Sequence, residues 1–145
     1  MKAAELQIGD LVCLKDDTKY KLPLRVDGIL KDDVSLEGEG FLGGVYGLIR
    51  PIPLTPEILE KNGWYLDPIL KCYSDTPSWL YEEGGKEELL LRFSTKESTG
   101  ALGIFDGQKI RTMTDFLWKD TLYVHELQHT MRLCGFNGLA DKFKV

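Results

Sequence analysis

The sequence is poor in cysteine and lacks the spacing that disulfide frameworks and metal clips require. Only Cys13, Cys72 and Cys134 occur in 145 residues, an odd number with no C-x-x-C pair. Isolated thiols of this kind suit a reducing compartment. No apolar run is long enough to cross a bilayer, and the amino end turns polar before a segment of signal length develops. We therefore expect a cytoplasmic protein.

Clusters of basic residues are missing as well. The chain has 18 Lys and Arg residues against 23 Asp and Glu residues, a net charge of -5. A general nucleic-acid binder neutralises phosphates with clustered basic side chains, so this class is disfavoured. A weak nucleic-acid-binding small-barrel protein stays open as an alternative if one face gathers the basic residues of the first part of the chain. These are Lys15, Lys19, Lys21, Arg25 and Lys31.

Short alternating segments separated by turn residues fill the first 54 residues. They predict strands at 8–14, 24–30, 34–37 and 45–49. Several short strands joined by tight turns favour a small Src-homology-3-like barrel. Residues 38–43 match the G-x-G-x-x-G order of dinucleotide sites, yet they lead into a strand rather than a helix. A hairpin loop that needs positive φ is the simpler interpretation.

The helix with the clearest start and stop signals begins after Thr55, with Pro56 at its first position and Gly63 at its end. A second β region follows, and Asp106-Gly107 is its strongest hairpin signal. Its candidate strands are residues 64–66, 69–73, 78–81, 89–93, 101–105 and 109–112. We predict an α+β, β-rich protein with a barrel-like subdomain at 1–54. An α+β subdomain at 55–145 carries an antiparallel sheet and a C-terminal helix packed on it. We expect the two subdomains to pack together, and a single domain stays open as the alternative.

Residues 122–136 hold the clearest helix pattern and both histidines of the chain. His125, Glu126 and His129 form the order H-E-x-x-H, in which two imidazoles bind zinc and the glutamate acts as general base. A catalytic zinc needs a third protein ligand. The extended motif is broken, because Arg132 stands in the place of its glycine and Gly135 in the place of its third histidine.

An amphipathic terminal helix is therefore the favoured interpretation, with its histidines, Glu126 and Arg132 facing solvent. It predicts no catalytic residue, no cofactor and no metal site. The alternative is a zinc-dependent hydrolase in which His125 and His129 bind the metal and Glu126 activates water.

Three segments carry a resemblance to a known group. They are Ile-Gly-Asp-Leu-Val near the amino end, Ile-Pro-Leu-Thr-Pro-Glu-Ile-Leu-Glu-Lys-Asn-Gly-Trp in mid-chain, and Tyr-Val-His-Glu-Leu-Gln near the carboxyl end. Together they resemble a family of small uncharacterised proteins of gut bacteria and their phages or mobile elements. The resemblance implies a structural role for Val124, Leu127 and Gln128, and it implies no activity. His129 departs from the asparagine typical of that family, which leaves metal binding by this chain open.

With no complete catalytic set, we expect a non-enzymatic interaction module that binds a protein or peptide partner. This expectation rests on the predicted fold, which is compatible with many functions. The sequence predicts neither a substrate nor an oligomeric state.

Overall fold

A computed structural model of the chain describes residues 1, 3–17, 22–37, 40–43, 47–66, 73–74, 88–94, 99–105, 110–117 and 121–145. These residues separate into two compact units. The first unit comprises residues 1–53, 123–143 and 145, and the second comprises residues 54–122 and 144. The fold is α+β with antiparallel sheets, as the sequence predicts.

The first unit contains a five-stranded antiparallel sheet and two helices. Its strands are β1 (Leu11–Leu14), β2 (Leu24–Ile29), β3 (Asp33–Leu36), β4 (Gly40–Gly43) and β5 (Ile49–Pro51). They follow the order β4-β3-β2-β1-β5, so β4 and β5 are the edges of an open sheet in the described residues. The helices are α2 (Val124–Leu133) and α3 (Asn137–Lys142), and a short 3-10 helix spans Ala3–Glu5.

One buried apolar cluster of the first unit draws on four strands of its sheet. In β3 the alternate residues Val34 and Leu36 belong to this cluster, because side chains two positions apart share a face of the sheet. The buried members of the cluster are Leu6, Val12, Val26, Val34, Leu36 and Ile49. The register of β2 against β3 shifts between Val26 and Gly28. Such an irregularity bends a strand and increases its twist.

The second unit begins with α1 (Pro56–Lys61) and continues with β6 (Tyr65–Leu66), β7 (Tyr73–Ser74), β8 (Glu88–Ser94), β9 (Thr99–Phe105) and β10 (Ile110–Leu117). The strands form an antiparallel sheet in the order β10-β9-β8-β7-β6. Thr55 caps α1 by accepting the N–H of Ile58 at 3.4 Å, and Gly63 has a φ of 82° after the helix. Both features confirm the predicted start and end of that helix.

Several predicted features fall outside the described residues: the strand at 78–81, most of the strand at 69–73, and the Asp106-Gly107 turn. The two runs that this turn joins are paired as β9 and β10. Part of the G-x-G-x-x-G segment forms the edge strand β4.

The position of the last helices differs from the predicted subdomain boundaries. Residues 123–143 belong to the first unit rather than to the sheet of residues 55–122. The reason is a set of polar bonds between α2 and the turn before β1, among residues more than a hundred positions apart. Sequence periodicity marks an apolar face but does not say which sheet will cover it.

Candidate functional site

The candidate site lies on α2, which begins at a strand-like segment of its own unit. Tyr123 forms an isolated β-bridge with Pro53, and the N–H of Val124 donates to the carbonyl of Ile52 at 2.9 Å. The helix ends at Cys134, followed by Gly135 with a φ of 88°. This is the predicted glycine stop. Val124, Leu127 and Met131 are fully buried along its apolar face.

The interpretation that α2 exposes its histidines to solvent is wrong. His125 is only 6% exposed, and Arg132 is held in an ion pair. The turn before β1 covers this side of the helix, because Asp10 bonds two of its side chains and the carbonyl of Gly9 accepts from a third. Polar residues on one side of a helix therefore do not show that this side faces solvent, because a second polar segment can cover them and form hydrogen bonds with them.

Asp10 is the centre of a buried polar network. Its side chain is fully buried; Oδ2 lies 2.7 Å from Nε2 of His129, and Oδ1 accepts from Nη1 of Arg132 at 2.8 Å. The backbone N–H of Gln7 also donates to Oδ2 at 2.7 Å. Burial opposes ionisation of Asp10, but these hydrogen bonds outweigh it and lower the pKa of the carboxyl. Nη2 of Arg132 continues the network to Asp141 at 3.3 Å.

Gln128 is the second polar side chain that ties α2 to its surroundings, and it is fully buried. Its Oε1 accepts the N–H of Leu11 at 2.9 Å. Its Nε2 donates to the carbonyls of Gly9 at 3.1 Å and Ala140 at 2.9 Å. One amide thus joins the start of β1, the preceding turn and α3. The three positions that the family resemblance singles out, Val124, Leu127 and Gln128, are all fully buried.

Glu126 serves the helix terminus. Its Oε2 accepts the N–H of Tyr123, the residue that precedes the first turn, at 2.8 Å. This is the reciprocal half of a capping box. Burial raises the pKa of Glu126, while the Tyr123 N–H and His129 act in the opposite direction. The residue predicted as an alternative catalytic base therefore has a structural bond of its own.

His125 differs from these side chains. Its Nδ1 is buried and has no hydrogen-bond partner. The ring stacks on Tyr123 with centroids 5.9 Å apart and meets His129 edge-on at 5.6 Å. Burial lowers the pKa of His125 to about 4, with Asp10 opposing and His129 reinforcing the shift. The imidazole is thus neutral at pH 7.

A groove of about 390 Å³ opens beside the first turn of α2. All of its lining residues belong to the first unit. They are Met1, Glu5, Pro51, Tyr123, His125, Glu126 and His129. The groove therefore brings together the three residues of the H-E-x-x-H motif with an aromatic ring and a second carboxylate.

No third metal ligand joins them: within the described ranges, no three His, Cys, Asp or Glu side chains are placed to hold a metal ion. The zinc hypothesis for His125, Glu126 and His129 stays a prediction. In the nucleic-acid alternative, Arg25 donates to the carbonyls of Gly9 and Phe143, and Lys15 and Lys31 are exposed. Lys19 and Lys21 lie outside the described residues.

Sequence reasoning missed Asp10, and it identified Gln128 only through the family resemblance. Asp10 belongs to a Gly-Asp pair that indicated only a turn. Gln128 follows Val124 by four positions and precedes Met131 by three, so it lies beside the apolar face. A polar amide at such a position is a usable signal for a buried hydrogen-bonding role.

No helix among the described residues has the length and apolarity needed to cross a membrane. Comparisons with protein-family models, with curated proteins and with solved structures gave no significant match.

Proposed function

We propose that the protein is a non-enzymatic interaction module whose first unit binds a segment of a partner protein in the groove beside α2. The observation that carries the proposal is the groove itself, with Tyr123, His125 and the carboxylates of Glu5 and Glu126 in its wall. Its 390 Å³ lies near the lower end of the roughly 300–1,000 Å³ of small-ligand sites. Such a volume fits one or two side chains of a bound segment.

The bonding of α2 supports a binding role over a catalytic one. His129 is held by Asp10, and Glu126 accepts the Tyr123 N–H. A hydrolytic zinc site requires both imidazoles on the metal and a carboxylate available to activate water. Using Glu126 as the base would compete with the bond that caps the first turn of α2, whereas the Asp10 bond occupies only Nε2 of His129 and leaves its other ring nitrogen.

We further propose that the five-stranded sheet is a Src-homology-3-like small barrel. Its strand order, in which β1 to β4 pair in succession and β5 returns to pair with β1, supports this assignment. The irregularity in β2 supports it too, because bends of this kind let a small sheet curl. Membership of the gut-bacterial and phage family rests on the three quoted segments and is likewise a proposal.

A displayed library of random peptides, panned on the full chain, tests the binding proposal. We expect enriched sequences with the wild-type chain and loss of that enrichment with Glu5→Lys, which places a cation at the groove. Glu37→Lys is the matched control, since Glu37 is also an exposed carboxylate of the first unit but does not line the groove. Enrichment that is equal for the two variants would show that the groove is not the binding site.

Zinc binding is the second candidate, and one observation favours it: His125, Glu126 and His129 line the same groove, with the imidazole centroids 5.6 Å apart. The test is the metal content of untagged protein purified without chelator. One zinc per chain, lost in both His129→Ala and His125→Phe, would establish the site and direct the search to a third ligand. Loss of zinc in His129→Ala alone would indicate damage to the Asp10 network instead.

A further inference from the structure

The first unit is discontinuous in sequence. Its two main stretches are residues 1–53 and 123–143, and residues 54–122 of the second unit occupy the gap between them. The ends of this gap are adjacent within the first unit, because Pro53 and Tyr123 form a β-bridge. A short connection would therefore join the two stretches as well as the long segment that is present.

The first unit supplies the bonds that hold its second stretch in place. Ile52 and Val124 are fully buried, and the N–H of Val124 donates to the carbonyl of Ile52 at 2.9 Å. Oε1 of Gln128 accepts the N–H of Leu11, and Asp10 bonds two side chains of α2. Every residue of this set belongs to the first unit. The groove beside α2 is likewise lined only by residues of that unit.

The second unit also begins and ends at adjacent residues. The N–H of Leu54 donates to the carbonyl of Leu122 at 2.8 Å. Between these ends lie α1 and a sheet in which β6 to β10 pair in succession. Leu59 and Trp64 are buried apolar residues of this part of the chain. A domain whose ends lie close together can be inserted into a loop of another domain without disturbing the fold of either.

We propose that the second unit is a separately folding insertion and that the first unit, including its groove, is complete without it. Each unit then has its own unfolding transition. While the insertion is folded, it holds the ends of the gap together and spares the first unit the entropy of closing a long flexible loop. This arrangement does not depend on whether the groove binds a partner.

The full chain carries a separate probe for each unit. Its three tryptophans, Trp64, Trp79 and Trp118, all fall within residues 54–122, so tryptophan fluorescence follows the second unit. Cys13 is fully buried in β1, and its thiol can be alkylated only when the first unit opens. Pulse alkylation during a urea titration, with mass spectrometry of the peptide that contains Cys13, therefore follows the first unit.

Asp10→Ala and Leu59→Ala each remove a fully buried side chain from one unit. We expect Asp10→Ala to lower the urea midpoint of Cys13 alkylation by about 1 M or more and to leave the fluorescence midpoint unchanged. If Asp10→Ala unfolds the first unit without urea, the fluorescence transition should still occur at the wild-type midpoint. Leu59→Ala should lower the fluorescence midpoint more than the alkylation midpoint, because it reaches the first unit only through the opened loop.

A fluorescence midpoint that falls together with the alkylation midpoint in Asp10→Ala would show one cooperative structure and overturn the proposal. Equal shifts of the two midpoints in Leu59→Ala would overturn it as well. Asp141→Ala is the control, since the Asp141 side chain is 61% exposed, and it should move neither midpoint.

Discussion

The polar side chains of α2 divide into two regions that differ in how completely they are bonded. Toward its carboxyl end, Gln128, His129 and Arg132 are all bonded to groups outside the helix. At its first turn, His125 has a buried Nδ1 with no partner and lies in the wall of a groove. The bonded region explains why α2 belongs to the first unit. The incompletely bonded region borders the groove in which we propose that a partner binds.

This difference also decides how the H-E-x-x-H motif is understood. Its two histidines lie four residues apart, and they have different environments: one contacts a buried carboxylate, and the other is buried without a hydrogen bond at Nδ1. A motif specifies spacing on a helix, whereas chemistry depends on what the remaining fold supplies. Substitutions that affect one region of α2 and leave the other unchanged test this difference.

The largest expected effect is that of Asp10→Ala. It leaves Arg132 and His129 without their buried partner, and breaking a buried pair on one side costs about 3–5 kcal/mol. Chemical denaturation should show this loss in the free energy of unfolding. Asp141→Ala is the matched control, because the Asp141 side chain is 61% exposed and its pair with Arg132 is worth less than about 1 kcal/mol. Similar losses for the two variants would contradict the central role of Asp10.

Acidification should lower the free energy of unfolding, because His125 is buried in its neutral form. Its pKa is about 4 in the fold against 6.5 in the unfolded chain, so the unfolded state binds the extra proton between these values. This contribution to stability is complete above pH 6.5 and is lost as pH falls toward 4, by about 3 kcal/mol for a shift of this size. The lowered pKa of Asp10 adds a further loss of stability only below 3.8, its value in the unfolded chain, which lies outside the window from pH 6.5 to pH 4.

Denaturant titrations at several pH values check this prediction. In His125→Phe the fall in the free energy of unfolding between pH 6.5 and pH 4 should be much smaller. Glu126→Gln is the control for the other shifted group of the first turn, since the raised pKa of Glu126 acts in the opposite direction and favours the fold as pH falls. An unchanged pH profile in His125→Phe would show that His125 is not held neutral.

A smaller effect is expected for Gly9→Ala, in the turn that covers α2. Gly9 has a φ of 92°, and a Cβ there would lie 2.6 Å from Nη2 of Arg132. Strain of this kind costs about 1–3 kcal/mol. Gly138→Ala is the control, because a Cβ at Gly138 meets nothing within 4 Å and the residue lies in α3. There we expect no loss, or a gain of up to about 1 kcal/mol from helix propensity.

The smallest stability effect should come from His125→Phe near neutral pH. Replacing a buried group that makes no hydrogen bond by an apolar ring of similar shape removes no bond, so the free energy of unfolding should change by less than about 1 kcal/mol. Thermal unfolding at pH 7.5 checks this. A loss as large as that of Asp10→Ala would mean that both regions of α2 are structural.

Much of the fold could be predicted from local patterns. An apolar run after a Gly-Asp turn located β1, and alternation located β2 and β3. Capping chemistry located α1 through Thr55 and Gly63. The extent of α2 followed from its apolar spacing and from Gly135. These signals act over a few residues, where steric and hydrogen-bonding preferences are strong.

The placement of α2 and the environment of its histidines could not be predicted in the same way. Asp10 and His129 are 119 positions apart, and Gln128 bonds Leu11 across 117 positions. Nothing in the helix pattern identifies such partners. Local periodicity therefore predicted a solvent-exposed face where the structure has a cover of backbone carbonyls and the Asp10 carboxylate. The spacing of the motif residues could be read from the sequence, while their bonding required the tertiary structure.

The most direct test of the division within α2 is the affinity of a library-selected peptide for His125→Phe, measured together with the stability of that variant. We predict at least a tenfold loss of affinity with an unfolding free energy at pH 7.5 within about 1 kcal/mol of the wild type. Unchanged affinity would contradict the assignment of the first turn to binding. So would a loss of affinity that accompanies a loss of several kcal/mol in stability, because His125 would then be one more structural residue.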